Sequence, residues 1–199
     1  VTPKTKAVIV NNPNNPSGVV YSEATIKKIA SIMDKKQKEY GTEIYLIADE
    51  PYRELVYDGV TVPFLTKYYD NTIVGYSFSK SLSLPGERIG YLVIPDEVVD
   101  AGMLQSAAGV ATRILGFVNA PTLMQRAVAR CLDAEVNVEA YDRNRRALYD
   151  GLTKLGFECI KPQGAFYLWV KAPGKDEKKL VETAKRSEER RVGKECRSR

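Results

Sequence analysis

SFSKSLSLPGER, residues 77–88, is a polar segment that directly follows the apolar run at residues 72–76. Such a run predicts a buried strand that leads into an irregular loop. Lys80 lies among serines in this loop, and Arg88 follows eight residues later. Because an amine condenses with a carbonyl and an arginine fork binds phosphate, the loop indicates a site for a phosphate-bearing aldehyde. Taken alone, the loop is equally typical of a solvated surface lysine, since short motifs often match by chance.

Two further predicted strands also end in polar residues. Residues 7–10 run into the sequence NNPNNPSG, and residues 44–48 run into DEPY. In open α/β sheets, ligands bind beyond the carboxyl ends of the parallel strands. We therefore expect one crevice to bring together four side chains: Asn15, Asp49, Tyr52 and Lys80.

The three polar segments occur in the order NPNNPSG, ADEPY and SFSKSLSLPGERIGY, at residues 12–18, 48–52 and 77–91. In this order and spacing they resemble the pyridoxal-phosphate-dependent aminotransferases of fold type I, class I/II, and within them the bacterial aspartate-aminotransferase-like enzymes. The resemblance covers residues 1–185. It implies an α/β fold that contains part of the large domain, a mostly parallel sheet with flanking helices, and the start of the small α+β domain.

The resemblance also implies a chemical role for each matching side chain. Lys80 would bind the aldehyde of pyridoxal 5'-phosphate covalently and then move a proton as the catalytic base. Asp49 would face the pyridine nitrogen and favour its protonated, electron-accepting form. Asn15 and Tyr52 would hydrogen-bond the oxygen on the cofactor ring.

The phosphate group of the cofactor would be held by Ser77 and Arg88, with Ser79 as an additional candidate. Arginine suits this role because its planar fork of donors matches phosphate better than an ammonium group does. Each residue also has an ordinary structural interpretation when taken alone: Asn15 could set a turn, and Asp49 could cap the end of a strand. The functional interpretation depends on the joint occurrence of these residues.

The composition excludes several classes of function. The chain has no histidine, so within these residues proton transfer at neutral pH falls to lysine, tyrosine or carboxylate, and a Ser-His-Asp triad is excluded. The net charge is +5, but residues 186–199 hold six basic and three acidic residues, leaving 24 basic and 22 acidic residues elsewhere. This near-neutral, mixed distribution is typical of solvated helix faces and argues against a nucleic-acid-binding protein.

The sequence also favours a soluble, cytoplasmic protein without a metal site. No apolar run approaches the ~20 residues of a membrane-spanning helix. The three cysteines, Cys131, Cys159 and Cys196, are widely spaced and odd in number, which fits a reducing compartment better than a disulfide framework.

Pattern and turn signals predict the remaining elements. A helix is expected from Ser22, its N-cap, to residue 40, with Gly41 as its stop. A right-handed crossover makes the first two strands parallel, a third strand follows at residues 72–76, and the resemblance makes the strand at 90–94 antiparallel to its neighbours. Further elements are a helix directly after Pro95 with Asp96 and Glu97 in its first turn, a helix near residues 119–121, a long helix at 135–155, and strands at 157–160 and 165–170.

These elements predict four parts of the chain. Residues 1–134 would form part of the large cofactor-binding domain, 135–156 a connecting helix, and 157–185 the start of the small C-terminal domain. Residues 186–199 match the translation of a DNA sequencing adapter, so we expect them not to be native. Because family members are about twice this length, we expect an interior piece that is inactive alone, taken from a protein that dimerises when complete.

Three functions remain open. The first is an aminotransferase that moves an amino group between an amino acid and a 2-oxo acid. The second is a lyase that uses the same residues and cofactor to cleave a C–S bond or eliminate at Cβ. The third is a cofactor-sensing domain of a transcription regulator. The visible chain contains no DNA-binding motif, which favours an enzyme.

Overall fold

A computed structural model describes the backbone of residues 1–195 and the side chains of residues 1–186. Its sheet contains four strands: β1 (Ala7–Asn11), β2 (Tyr45–Asp49), β3 (Thr72–Ser77) and β4 (Gly90–Val93). They lie side by side in the order β1-β2-β3-β4. The first three are parallel and β4 is antiparallel to β3, which confirms the predicted directions of the first two strands and of the fourth.

Six α-helices accompany the sheet in the described part of the chain. They are α1 (Glu23–Tyr40), α2 (Phe78–Ser81), α3 (Ala101–Ile114), α4 (Thr122–Ala129), α5 (Val138–Lys154) and α6 (Glu177–Glu195). None of the helices described has both the length and the apolar composition needed to cross a bilayer. The predicted non-native tail overlaps α6, and residues 196–199 lie outside the described residues.

Helix α1 forms as its sequence predicts. The Ser22 side chain accepts a hydrogen bond from the backbone N–H of Thr25 at 3.2 Å, which satisfies one of the free donors at the helix start. Gly41 has a left-handed backbone with φ of 61° and donates its N–H to the Gln37 carbonyl, a typical helix end. The helix turns its buried face, Ile26, Ala30 and Met33, toward the sheet.

The main hydrophobic core lies between this helix and the first two strands. Its fully buried members include Ile26 and Met33 from α1 and Leu46 from β2, each about 1% exposed. Tyr69 closes the core and donates its hydroxyl hydrogen to the Ile44 carbonyl at 2.5 Å. The core thus packs α1 against the strands whose last residues are Asn11 and Asp49.

The predicted helix start directly after Pro95 is wrong. Residues 96–97 lie in a turn, and α3 begins only at Ala101. A residue distant in sequence stabilises this turn, because the backbone N–H of Val99 donates to the Asn71 side chain at 2.8 Å. This tertiary contact delays the helix beyond the point that the local proline and acidic residues indicate.

The long helix predicted at residues 135–155 begins three residues later than expected. The Asn137 side chain accepts a hydrogen bond from the N–H of Ala140 at 3.0 Å, so Asn137 is the N-cap and α5 starts at Val138. At the other end the chain leaves the helix at Gly156, whose φ is 85°. A strong cap therefore decided the start of the helix, and the predicted end is confirmed.

The strands predicted at residues 157–160 and 165–170 do not form a ladder. The two segments meet in a single antiparallel bridge, between Cys159 and Val170. Their local composition favours strands, but the residues between them form hydrogen bonds with other loops of the molecule.

Those contacts dock the turn at residues 162–164 onto the first polar loop. The backbone N–H groups of residues 163 and 164 both donate to the Gly18 carbonyl, at 2.7 and 2.9 Å. Ala165 is fully buried, and its N–H donates to the Leu55 carbonyl at 2.8 Å. The turn and the first residue of the second predicted strand are therefore bound to other loops, and between the two segments there remain the bridge and the hydrogen bonds on either side of it.

A second apolar surface is not covered within the described residues. Large side chains on β4, α3, α4 and the intervening loop are at least two-fifths exposed, among them Leu92, Met103, Ile114, Phe117 and Leu123. Soluble proteins usually cover a contiguous surface of this kind with further chain or with a partner.

We predict that Gly164→Ala destabilises the protein, because an added Cβ would lie 2.7 Å from Pro13 Cβ and 3.0 Å from the Leu55 carbonyl oxygen. Overpacking of this kind costs roughly 1–3 kcal/mol. The midpoint of urea denaturation measures the loss. Gly102→Ala is the control, since nothing lies within 4 Å of its added Cβ and it sits inside a helix. Equal midpoints for the two variants would show that the turn can move away from the loop.

Candidate active site

The candidate site lies at the carboxyl ends of the three parallel strands. The register pairs Asn11 of β1 with Asp49 of β2, and Asp49 in turn with Gly75 of β3, two residues before Ser77 ends that strand. Three loops therefore leave the sheet at nearly the same level, which is the arrangement that creates a ligand crevice in open α/β sheets.

Asp49 presents an exposed carboxylate at the end of β2. Asn11 orients it, because its side-chain amide donates to Asp49 Oδ2 at 3.0 Å and to the Asp49 carbonyl at 3.1 Å. Desolvation by the surrounding protein raises the pKa of the Asp49 carboxyl, and the hydrogen bond from Asn11 partly offsets this increase. Asn11 was not among the predicted site residues. Asn11 could have been identified from the sequence only through the pairing of β1 with β2, in which it lies opposite Asp49.

Asn15 and Tyr52 are brought together as the sequence predicts. The Tyr52 side chain belongs to a residue that is 4% exposed, and its hydroxyl lies 3.5 Å from Asn15 Nδ2, which donates to it. A second hydroxyl, that of Tyr167, lies 2.7 Å from the Tyr52 hydroxyl. Desolvation, followed by the contact with Tyr167, raises the pKa of the Tyr52 phenol, so Tyr52 carries its proton at neutral pH.

Lys80 lies on the short helix α2, half-buried beside the aromatic residues of the site. Its Nζ atom is 5.8 Å from the centre of the Tyr52 ring and 5.0 Å from the centre of the Phe166 ring. The amine thus faces Tyr52 within the crevice, and ring surfaces lie on one side of it. Phe166 and Tyr167 were not predicted as site residues, because they are far from the three motifs along the chain and were assigned to a strand.

Ser77 and Ser79 form a small group of hydroxyls at the start of α2. Ser77 Oγ accepts the backbone N–H of Ser79 at 3.2 Å and donates to Ser79 Oγ at 2.8 Å. Arg88 is not part of this group: its residue is exposed, and its Nη1 atom donates to the Pro85 carbonyl at 2.9 Å. The structure therefore brings six of the seven predicted site residues to one region, while the Arg88 guanidinium is bound to its own turn.

The arrangement defines a class of protein. A half-buried lysine, a carboxylate and a hydrogen-bonded phenol at the carboxyl ends of parallel strands make a site for covalent chemistry between an amine and a carbonyl compound. The sequence matches the family described as aminotransferase class I and II over residues 1–189, and the chain belongs to this family.

Curated relatives agree with this assignment. The chain is 33% identical over 170 residues to a probable aspartate/prephenate aminotransferase of Thermus aquaticus, which covers 84% of this chain and 43% of the relative. It is 32% identical over 194 residues to aromatic-amino-acid aminotransferase 2 of Thermococcus litoralis, covering 92% and 46%. The chain thus spans less than half the length of these relatives.

Solved structures share the fold. An amino transferase from Eubacterium rectale superposes with a TM-score of 0.89 at 56% identity, covering 94% of this chain and 47% of that one. An aspartate aminotransferase variant of Thermus thermophilus superposes with a TM-score of 0.71 at 31% identity, covering 86% and 44%. The predicted family and α/β fold are confirmed.

We predict that Asp49→Asn stabilises the cofactor-free protein at neutral pH. Since the native-state pKa of Asp49 is raised, the stability that its protonated form contributes is present below the ordinary carboxyl pKa and is lost as pH rises through the raised value. A neutral amide escapes this loss. The urea midpoint of Asp49→Asn should therefore exceed that of the parent by more at neutral pH than at acid pH.

The matched control for this measurement is Asp96→Asn, which changes an exposed carboxylate in the turn after β4. This variant measures the background effect of replacing an exposed carboxylate with an amide. An advantage of Asp49→Asn that is absent at neutral pH, or that grows as the pH falls, would contradict the prediction.

Proposed function

We propose that the complete protein is a pyridoxal-phosphate-dependent aminotransferase that moves an amino group between an amino acid and a 2-oxo acid. The observation that supports this most directly is the position of the Lys80 amine, which shares one crevice with the Asp49 carboxylate and the Tyr52 phenol. The family and the names of the relatives support the same reaction.

The side chains of the crevice fit the chemistry of this cofactor. Asp49 offers an anion for the pyridinium nitrogen, and its orientation is set by Asn11. Tyr52 offers a phenol proton for the ring oxygen, beside the amide of Asn15. The hydroxyls of Ser77 and Ser79 offer donors for a phosphate, and rotation of the exposed Arg88 side chain would add a charged donor.

When bound, the cofactor supplies the electron-accepting ring. The chain supplies the group that transfers the proton and the charged and hydrogen-bonding side chains around the cofactor. Lys80 Nζ would take the proton from the substrate Cα, a role that suits a half-buried amine beside the rings of Tyr52 and Phe166. Asp49 would favour the protonated form of the ring nitrogen, and the raised pKa of Tyr52 would keep its phenol in the donor form.

The proposal extends to partners and location in general terms. The substrates are an amino acid and a 2-oxo acid, and the relatives are named for aspartate, prephenate and aromatic amino acids. We propose a cytoplasmic homodimer, with the uncovered apolar surface on α3 and α4 supporting a partner subunit. Residues 1–134 would belong to the large domain, 135–156 to the connecting helix and 157–185 to the small domain, with 186–199 not native.

We predict that Lys80→Ala in the complete protein abolishes the adduct that borohydride traps with pyridoxal 5'-phosphate, because the proposal makes the Lys80 amine the attachment point. Mass spectrometry of the reduced protein measures the adduct and its site. Lys35→Ala removes an exposed lysine of α1 and should trap normally. Asp49→Ala should also trap while turnover falls, since the attachment point is intact. A label that persists in Lys80→Ala would refute the assignment.

Transfer and elimination give different products, although both would use the same residues. We predict that a new amino acid forms only when a 2-oxo acid is added together with an amino donor. Chromatography of the products measures this. Release of pyruvate and ammonia from a cysteine-type substrate, without any added 2-oxo acid, would instead identify a lyase.

A further inference from the structure

The hydroxyl of Tyr52 has two hydrogen-bonding neighbours in the protein but only one proton to donate. It lies 3.5 Å from Asn15 Nδ2 and 2.7 Å from the hydroxyl of Tyr167. A phenol has one hydrogen to donate and two lone pairs that accept. Because the amide nitrogen of Asn15 can only donate, it takes up one lone pair of the Tyr52 oxygen.

The direction of the short bond to Tyr167 then decides where the Tyr52 proton points. If Tyr52 donates to Tyr167, its only proton is used inside the protein. If Tyr167 donates to Tyr52, both lone pairs of the Tyr52 oxygen are filled and its proton is free for the crevice. Only the second arrangement lets Tyr52 donate a hydrogen bond to a ligand oxygen next to Lys80.

We propose that Tyr167 is a positioning residue whose hydroxyl donates to Tyr52 and thereby directs the Tyr52 proton into the crevice. This inference rests on the proposed function, in which Tyr52 donates to the ring oxygen of the cofactor. A hydroxyl that accepts a hydrogen bond is also a stronger donor, so Tyr167 strengthens the contact as well as aiming it.

The protein holds Tyr167 in place for this role. Its ring packs edge-to-face on the Tyr52 ring, with centroids 5.7 Å apart. The neighbouring Ala165 is fully buried, donates its N–H to Leu55, and accepts the Tyr57 hydroxyl hydrogen at 2.5 Å. The Tyr167 hydroxyl is therefore presented by a fixed backbone.

Ion pairs of the buried Arg145 side chain anchor the same segment to α5. The Arg145 guanidinium donates to the Pro162 carbonyl at 2.8 Å and to Asp142 and Asp58 at 2.7 and 3.0 Å. The hydrogen bonds from Arg145 and then from Lys161 lower the pKa of Asp58 to about 2, so this network stays charged at neutral pH. The position of Tyr167 thus depends on contacts that lie outside the three sequence motifs.

The test is Tyr167→Phe in the complete, cofactor-loaded protein, with the absorbance titration of the lysine-bound cofactor as the readout. Tyr52 becomes a weaker donor to the ring oxygen, so the spectrophotometric pKa of the bound cofactor should rise by about half a unit. Equilibrium binding of pyridoxal 5'-phosphate should weaken by about threefold, for the same reason. An unchanged titration would overturn the inference. A downward shift would also overturn it, because it would mean that Tyr52 had been donating to Tyr167.

Two comparisons separate positioning from a structural effect. Tyr141→Phe removes a hydroxyl from the same aromatic cluster that makes no hydrogen bond within the described residues, so its titration should match the parent. In a Tyr52→Phe background, adding Tyr167→Phe should cause no further shift, because the effect passes through the Tyr52 hydroxyl. If the pKa shifts caused by Tyr52→Phe and Tyr167→Phe add in the double variant, the inference is overturned.

Failure of the proposed function would look different. A parent protein that binds no cofactor at Lys80 would overturn both the function and the role of Tyr167. A parent that is trapped at Lys80, together with a Tyr167→Phe variant that titrates identically, would overturn only the role of Tyr167.

Discussion

The parallel register of the first three strands is the constraint on which the site depends. It sets Asn11 opposite Asp49, and Asp49 opposite Gly75, so that three chain segments leave the sheet at one edge. A shift of one residue would turn every side chain to the other face of the sheet, exposing the core and burying the Asp49 carboxylate. The hydrophobic core under α1 therefore determines the geometry of the site although it contributes no side chain to it.

The second determinant is the docking of the turn at residues 162–164 onto the first polar loop. Both glycines of this contact, Gly18 and Gly164, lie where an added Cβ would approach a proline within 2.8 Å. Close packing there brings Phe166 to Lys80 and Tyr167 to Tyr52. Two aromatic residues of the crevice are thus supplied by a segment that follows Lys80 by more than eighty positions.

The sequence predicted what local patterns and the three motifs determine. The strands, the caps of α1 and the antiparallel β4 follow from apolar runs, cap residues and the family resemblance. It did not predict what depends on distant contacts: the turn held by Asn71 that delays α3, or the loss of a strand ladder beyond residue 157. Asn11 and Tyr167 were missed for the same reason, because each becomes a site residue only through a partner far along the chain.

Several titratable groups at and beside the crevice are partly desolvated by the surrounding protein. Asp49 and the neighbouring Glu50 both have pKa values raised by desolvation, and Tyr52 shares this cause. Desolvation of these groups costs stability, and the hydrogen bond from Asn11 to Asp49 and the ion pair of Glu50 with Arg53 offset part of that cost. Under the proposed function, a ligand with a cation at Asp49 and an acceptor at Tyr52 would offset more of it. Partial desolvation would then favour a ligand whose charge and hydrogen-bonding groups match those of the crevice.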